Sequence, residues 1–366
     1  MDNRIKKLAE ILVHYSVKLK KGQLVKIQGE QVALPLITAL YEEAISVGAH
    51  PYTMIKIPRN EETLIKKGSR EQLQYISSLA RLEVNKIDAF FNVWGSENIR
   101  YLAGADPKKI SLQRAAFKPL FRRLFKRIGE RSITWVGTQF PTLADAQQAE
   151  MSLSEYEDFV YSAGHVSDRD PIKYWKNVEK EQKRLVKILN RIDRLHIQAP
   201  GTDLRMRVKG RKWISCHGTE NFPDGEIYTS PIEDTAEGVI NFNYPATYMG
   251  RQVENVWLEF KKGKAVSESA DKDLDFLKAM LNTDRQARRI GEIAIGTNYS
   301  IKRFTGNTLF DEKIGGTCHL AVGASIPEAG GKNKSSIHWD MVRDLKKEGE
   351  IKADGKVIYR NGKFTI

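Results

Sequence analysis

The feature that most constrains the fold is a regular alternation of helix-like and short apolar segments in the first half of the chain. Strand-like apolar segments lie at residues 24–28, 50–57, 87–94 and 133–137. Segments with helical spacing of apolar residues lie between them, at 33–47, 70–82 and 117–131. Strands joined by helices run parallel and are covered on both faces. The alternation therefore predicts an α/β fold whose N-terminal domain, residues 1–198, has a largely parallel sheet flanked by helices.

The second half of the sequence has a different character, which begins near Ala199-Pro200-Gly201. Eighteen of the 27 glycines follow residue 200, so turns are denser there. Apolar and basic residues alternate over 204–209, which is typical of a half-buried strand. Helical spacing predicts a long helix over 178–195 and a second helix over 271–289. We therefore expect a C-terminal α+β domain, residues 199–366.

The charge of the chain is strongly basic, with 59 Lys and Arg against 46 Asp and Glu and a formal net charge of +13. Its densest basic segment, 117–131, interleaves charges with apolar residues as a solvated amphipathic helix does. No nucleic-acid motif accompanies that segment, so we expect no nucleic-acid partner. A steeply salt-dependent affinity for DNA or RNA would indicate such a partner.

The N-terminus is too polar for a signal peptide, and no run of about 18 apolar residues could span a membrane. We therefore expect a cytoplasmic protein without a membrane partner. The two cysteines, Cys216 and Cys318, exclude a disulfide framework and a cysteine-rich zinc site.

The clearest chemical signal is Ile337-His338-Trp339-Asp340. Alternate side chains of a strand share a face, so His338 and Asp340 point together and Trp339 points to the opposite side. An imidazole beside a carboxylate suits a divalent cation. A His–Asp hydrogen bond inside a packed core is the alternative.

Three further residues are candidate ligands. His319 lies in an apolar strand-like segment, and its alternative is a buried histidine with ordinary hydrogen bonds. Glu226 follows the turn Pro223-Asp224-Gly225, which could aim its carboxylate at a site or form an exposed hairpin. Glu292 borders an apolar stretch, where a buried carboxylate needs a partner; an exposed glutamate at the end of an element is the alternative.

Taken together, the segments that carry these residues resemble the aminopeptidase T family of metallopeptidases. The strings are NFPDGEIYTSP (221–231), GEIAIGTN (291–298), LFDEKIGGTCHLAVG (309–323) and NKSSIHWDM (333–341). Shorter similar segments are KKGQ (20–23), SVGAHP (46–51), AEMS (149–152) and GTDL (201–204). The likeness covers essentially the whole chain.

The resemblance implies a metallo-aminopeptidase, a hydrolase that removes N-terminal residues from short peptides. It also implies two divalent ions (zinc, cobalt or manganese) held by Glu226, Glu292, His319, His338 and Asp340. Such paired ions activate a shared water and polarise the peptide carbonyl. We expect Glu226 or Glu292 to bridge the ions and Glu292, as the catalytic residue, to assist proton transfer. The family also implies a homodimer whose active sites face an enclosed space.

One position departs from the family pattern. The family has a tyrosine with a catalytic role seven residues after the first metal-binding histidine, whereas this chain has Ile326. Isoleucine has no hydroxyl to stabilise an oxyanion, and one such donor typically contributes on the order of 10²–10³ in rate. The alternative function is therefore a metal-binding but catalytically impaired homologue that binds peptides or regulates. Tyr228, Tyr248 and Tyr299 are other phenols that could replace the missing one.

Overall fold

The computed structural model describes residues 2–366. Its helices, numbered in chain order, are α1 (Asn3–Ile11), α2 (Leu34–Ser46), α3 (Pro58–Lys67), α4 (Arg70–Gln74), α5 (Ser78–Lys86), α6 (Pro107–Gly129), α7 (Leu143–Gln148), α8 (Leu153–Ala163), α9 (Pro171–Leu189), α10 (Leu274–Leu281) and α11 (Thr308–Asp311). A π-helical turn, Leu12–Val17, continues α1, and short 3₁₀ turns lie at Gln31–Ala33 and Pro327–Ala329.

The strands are also numbered in chain order. They are β1 (Leu24–Glu30), β2 (His50–Lys56), β3 (Ala89–Trp94), β4 (Thr134–Gln139), β5 (Arg194–Ala199), β6 (Thr202–Arg207), β7 (Ile214–Cys216), β8 (Asn221–Phe222), β9 (Glu226–Thr229), β10 (Glu237–Phe242), β11 (Ala246–Tyr248), β12 (Arg251–Val253), β13 (Val256–Lys261), β14 (Lys264–Ser269), β15 (Ile290–Gly296), β16 (Thr317–Gly323), β17 (His338–Asp344), β18 (Glu350–Ala353), β19 (Lys356–Arg360) and β20 (Lys363–Phe364).

The described chain divides into two compact units. Unit 1 contains the described residues up to Ile172 together with Gly218–Phe222, and unit 2 contains Lys173–His217 and Pro223–Ile366. The chain enters unit 2 earlier than the expected boundary near residue 198, because apolar residues of α9 and β5 pack into the core of unit 2. The domain boundary at residue 198 stays a prediction.

Unit 1 is built on a five-stranded sheet in the order β2-β1-β3-β4-β8, and every pairing in it is parallel. The strands β1, β3 and β4 carry buried apolar residues such as Val25, Phe91 and Val136. Helix α2 packs on β1 and β2, and the π-helical turn packs on β4. The predicted α/β fold with a parallel sheet flanked by helices is confirmed.

Local hydrogen bonds explain where helices begin in unit 1. The helix expected over 70–82 is two helices, α4 and α5, because two serines each cap a new one. The Ser69 hydroxyl accepts from the Gln72 N–H in a capping box, and the Ser77 hydroxyl accepts from the Leu79 N–H.

Unit 2 contains two larger antiparallel sheets. One has eight strands in the order β14-β13-β10-β6-β5-β18-β19-β20, and the other has five in the order β17-β16-β15-β9-β7. Both sheets contribute to one apolar core with α9 and α10. Representative buried residues of this core are Leu185, Ile197, Leu204, Ile240, Phe260, Leu277, Ile293, Leu320, Trp339 and Met341. The five-stranded sheet carries the candidate site.

Two helices of unit 2 differ from the expected spans. The helix expected over 178–195 is α9, which ends at Leu189 before β5 begins. The helix expected over 271–289 is only α10, because the chain leaves it before Asp284. The Asp284 carboxylate accepts from the N–H groups of Gln286 and Ser336, which ties this segment into a loop. None of the described helices combines the length and apolar composition that crossing a membrane requires.

Candidate metal centre

Four neighbouring strands of the five-stranded sheet place all five predicted ligands on one face. Glu226 begins β9, Glu292 lies in β15, His319 lies in β16, and His338 and Asp340 lie in β17. The register sets Glu292 opposite Ala321 and Ala321 opposite Asp340. Side chains alternate between the two faces along each strand, and pairing of the strands then brings residues that are far apart in the sequence together on this face.

The ligand atoms lie close together. His319 Nε2 is 3.4 Å from Glu226 Oε2 and 3.8 Å from Glu292 Oε1. His338 Nε2 is 3.3 Å from Glu292 Oε2 and 3.4 Å from Asp340 Oδ2. The residues thus form two groups of three, Glu226-Glu292-His319 and Glu292-His338-Asp340, and the ligand atoms of each group lie within 4.8 Å of one another. The two groups share Glu292.

A glycine directly precedes each of the two glutamates. Gly225 has a φ of +130°, and a Cβ there would lie 2.7 Å from the Cβ of Asn298. Gly291 lies at a β-bulge, where a Cβ would lie 2.0 Å from the carbonyl oxygen of Ala324. Close backbone approach at these two positions aims Glu226 and Glu292 at the site.

Hydrogen bonding fixes the ring of His338. Its Nδ1 is 2.8 Å from the carbonyl oxygen of Ala324. Because a carbonyl oxygen only accepts, Nδ1 carries a hydrogen, and Nε2 is the ring nitrogen that faces the carboxylates and is left for a metal ion. In His319, Nε2 faces the carboxylates, and the buried Nδ1 has no hydrogen-bond partner among residues 2–366.

A buried lysine completes the cluster, and the sequence reasoning did not single it out. Lys313 has a side chain only 2% exposed; its Nζ lies 3.0 Å from Glu226 Oε1 and 2.6 Å from Glu312 Oε2. Glu312 and Lys313 belong to the string 309–323. Three consecutive charged residues between Phe310 and Ile314 were the signal that could have found them. Glu226 lies 86 or more residues before them in the chain, so sequence spacing alone does not reveal that Lys313 pairs with it.

Burial and neighbouring charges oppose each other in the titration of these groups. Burial raises the pKa of Glu226 to about 7. Burial also acts on Glu292 and Asp340, but hydrogen bonds from the histidines to Glu292, and the charge of His338 beside Asp340, leave both pKa values lowered. For the histidines burial lowers the pKa, yet the carboxylates hold that of His319 at about 9 and that of His338 at about 12. The cluster therefore gathers negative charge that cations must balance.

The donor set fits divalent metal ions. Three carboxylates and two imidazoles are ligands that such ions accept in proteins. Within the described chain, buried Glu226 Oε2 and Asp340 Oδ1 have no hydrogen-bond partner. Once the histidines give up their protons to bind metal, the four carboxylates of Glu226, Glu292, Glu312 and Asp340 exceed the single lysine by three negative charges. Unpartnered oxygens and uncompensated buried charge are both relieved by cations at the centre.

A third possible ligand group, Cys216-Asp224-Glu226, adjoins the first. Cys216 and Asp224 both take part in other interactions. Neither cysteine forms a disulfide.

The three tyrosines named as possible replacements lie in different places. Tyr228 shares β9 with Glu226 and lies two residues later, on the same face. The Tyr299 hydroxyl donates to the carbonyl oxygen of Gly362 at 2.9 Å. Tyr248 stacks on Trp339, whose side chain is 1% exposed in the core behind the sheet. Burial raises the pKa of the Tyr228 phenol.

Fold and site together define the class of protein: an α/β protein with a buried carboxylate–histidine cluster whose donor set fits divalent metal ions. The family model described as "Thermophilic metalloprotease (M29)" matches residues 1–364. The chain belongs to this family, which confirms the resemblance drawn from the four strings.

Individual relatives agree with the family match. Aminopeptidase AmpS of Bacillus subtilis (strain 168) is 28% identical, with 100% of both chains covered. Aminopeptidase T of Thermus aquaticus is 26% identical, with 99% of this chain and 98% of the relative covered. The solved structure of wild-type AmpT from Thermus thermophilus is 25% identical and superposes with a TM-score of 0.87, covering 100% of this chain and 99% of that chain. These findings confirm the predicted enzyme class, a metallo-aminopeptidase, and the predicted fold.

Proposed function

We propose that this chain is an aminopeptidase whose reaction depends on two divalent metal ions held by the five-residue cluster. The observation that carries the proposal is the pair of three-residue ligand groups that share Glu292. The aminopeptidase names of whole-length relatives support the reaction. The impaired-homologue alternative draws no support from those names.

The contacts suggest how the ligands divide. One ion would bind Glu226, Glu292 and His319, and the other would bind Glu292, His338 and Asp340. Glu292 is the bridging residue in this proposal, because its two oxygens face different histidines. Glu226 is a one-oxygen ligand, because Lys313 already holds its Oε1 and leaves Oε2 unpartnered. When bound, paired ions polarise the scissile carbonyl and acidify the attacking water.

The chain's own residues provide the remaining chemistry. The Glu292 carboxylate lies at the centre of the cluster and can take a proton from the attacking water and pass it to the departing amine. His338 keeps its hydrogen on Nδ1, so its Nε2 remains a ligand throughout. Lys313 pairs with Glu312 and with Oε1 of Glu226, which leaves Oε2 of Glu226 for the metal.

Several finer expectations form part of this proposal. The metals are zinc, cobalt or manganese, the substrates are short peptides, and the protein is a cytoplasmic homodimer. Size-exclusion chromatography with light scattering measures the oligomeric state directly. A monomer at micromolar concentration would contradict the homodimer without affecting the proposed reaction.

The proposed reaction is tested by a metal count combined with an assay. Purified protein is loaded with zinc, cobalt or manganese, dialysed, and analysed for metal per chain by mass spectrometry. Hydrolysis of amino-acid anilides and of N-acetylated anilides is then measured with and without a chelator. We expect about two ions per chain and turnover of the free-amine substrates only, abolished by the chelator. Protein that binds no stoichiometric metal, or that is metal-loaded and inactive, would contradict the proposal.

Replacing Glu292 with glutamine tests the shared ligand. We expect Glu292→Gln to lose turnover by at least about 10³-fold while circular dichroism shows an intact fold, because both ions and the proton acceptor depend on this carboxylate. Glu268→Gln is a suitable control, since Glu268 pairs with Arg288 away from the cluster. Retention of most activity by Glu292→Gln would refute its assignment.

A further inference from the structure

The metal face of the sheet carries one phenol that the proposed reaction has not used. Tyr228 is half-buried, whereas its neighbours Ile227 and Thr229 are buried. In the register it lies opposite Ala294, and Ala294 lies opposite His319. Tyr228 therefore belongs to the same row of side chains as the ligands.

The phenol is close to the cluster and free to donate. The charges of Glu292 and Glu226 are near enough to act on it. Its hydroxyl takes part in no hydrogen bond with another residue of the described chain. Other donors nearby are already engaged: Lys313 is paired with two carboxylates, and the Ser230 hydroxyl donates to the carbonyl oxygen of Ile326 at 3.4 Å.

That last contact also locates Ile326 relative to Tyr228. Ser230 follows β9 directly and lies two residues after Tyr228, so the same row of side chains reaches from the phenol to the Ile326 segment. The charge of Glu328, two residues beyond Ile326, acts on the phenol as well. The isoleucine segment and the phenol are thus neighbours beside the same cluster.

We propose that Tyr228 is a catalytic residue whose hydroxyl donates a hydrogen bond to the oxygen of the scissile carbonyl as negative charge develops there. This inference rests on the proposed function and deepens it. The water oxygen bonds to the carbonyl carbon, and the electron pair of the C=O bond moves onto the carbonyl oxygen. Tyr228 keeps its proton. When the C–N bond breaks, that electron pair returns to the carbonyl, and the departing nitrogen takes the proton that the water released.

The role predicts a specific pattern of losses. In Tyr228→Phe we expect kcat to fall by about 10²–10³ with KM changed less than about twofold, because the hydrogen bond strengthens only as charge develops. Affinity for a phosphinic dipeptide analogue, whose tetrahedral oxygens imitate the charged oxygen, should fall by about 10²-fold in calorimetry. Affinity for free leucine should stay within about twofold, and metal content should be unchanged.

Two further variants separate this role from a structural one. Tyr299→Phe is the matched control, because its hydroxyl bonds to Gly362 instead, and we expect its kcat to be unchanged. Ile326→Tyr should raise kcat by less than about twofold, because Tyr228 already provides the donor. A gain of about 10²-fold in Ile326→Tyr would show that the donor position is vacant and would overturn the proposal.

Failure of this inference is distinguishable from failure of the proposed function. If metal-loaded wild-type protein hydrolyses anilides while Tyr228→Phe keeps its kcat and its affinity for the analogue, only the role of Tyr228 is wrong. If wild-type protein with two bound ions hydrolyses nothing, the proposed function is wrong, and this role falls with it.

Discussion

At the scale of single residues, the most unusual group is the buried ammonium of Lys313. Its side chain is 2% exposed and lies between Glu226 and Glu312. A buried charge that loses its partner typically costs about 3–5 kcal/mol, whereas removing both partners together costs far less. The buried carboxylates of Glu226 and Glu312 therefore need the positive charge of Lys313 to offset the cost of their burial.

Substitution of this lysine should reveal that dependence. In metal-free protein, we expect Lys313→Met to lower the free energy of unfolding by about 3–5 kcal/mol, because Glu226 and Glu312 are left unpaired. The double variant Glu312→Gln/Lys313→Met should recover part of the loss. Urea unfolding in the presence of a chelator measures both. A loss below about 1 kcal/mol in Lys313→Met would contradict this account.

We expect Asp311 to make the stability of the chain depend on pH, separately from the proposed ligands. Its Oδ1 accepts from the N–H and the hydroxyl of Thr305 at 2.7 and 3.0 Å. Burial raises its pKa from 3.8 to about 8. A carboxyl whose pKa is higher in the folded state contributes stability below about pH 4, and loses it as pH rises through about 8.

Replacement by asparagine removes this titration. Between about pH 5 and pH 8 we expect the free energy of unfolding of wild-type protein to fall relative to that of Asp311→Asn, by up to about 1.4 kcal/mol per pH unit. Urea unfolding of chelated samples across this range measures the difference. Parallel pH profiles for the two proteins would show that Asp311 does not take up a proton on folding.

At the scale of elements, the turn before β9 determines where Glu226 lies. We expect Gly225→Ala to bind metal at least about tenfold more weakly, because its Cβ would meet Asn298 and its positive φ disfavours alanine. Metal retained after dialysis measures the effect. Gly210→Ala is the control: Gly210 also has a positive φ, of +77°, but its Cβ would meet nothing within 4 Å. Equal metal affinity in both variants would mean that the turn does not position the ligand.

The elements also show what the sequence could and could not predict. Strand alternation predicted β17 well, since period-two patterning is local and places His338 and Asp340 together. The prediction of a helix over 271–289 was wrong beyond the end of α10. There the chain forms a loop, because Asp284 accepts a hydrogen bond from Ser336, about 50 residues away in the sequence. Local patterns and motif matching identified the five candidate ligands. The Lys313–Glu226 pair depends on the loop between α11 and β16, and the position of Tyr228 depends on strand register. Register is a tertiary property that single-segment patterns do not contain.

At the scale of the whole molecule, metal binding should stabilise the two units unequally. Ligands that bind only the folded state stabilise it, and the proposed ligands all lie in unit 2. We expect a chelator to increase amide hydrogen exchange in β9, β15, β16 and β17 by at least about tenfold, with β1, β3 and β4 unchanged. Exchange measured by mass spectrometry on matched samples tests this. Equal increases in both sheets would argue against a metal centre confined to unit 2.

The alternation in β17 has a consequence for how such a protein can change over generations. His338 and Asp340 face the cluster, while Trp339 between them contacts Tyr248 and Phe276 on the core side. Inserting or deleting one residue in this strand would exchange the two roles at once, placing an indole among the carboxylates and charges in the core. Over generations, loops of such a protein can therefore change in length, whereas the spacing of residues within β17 cannot change without losing both the ligands and the core contact.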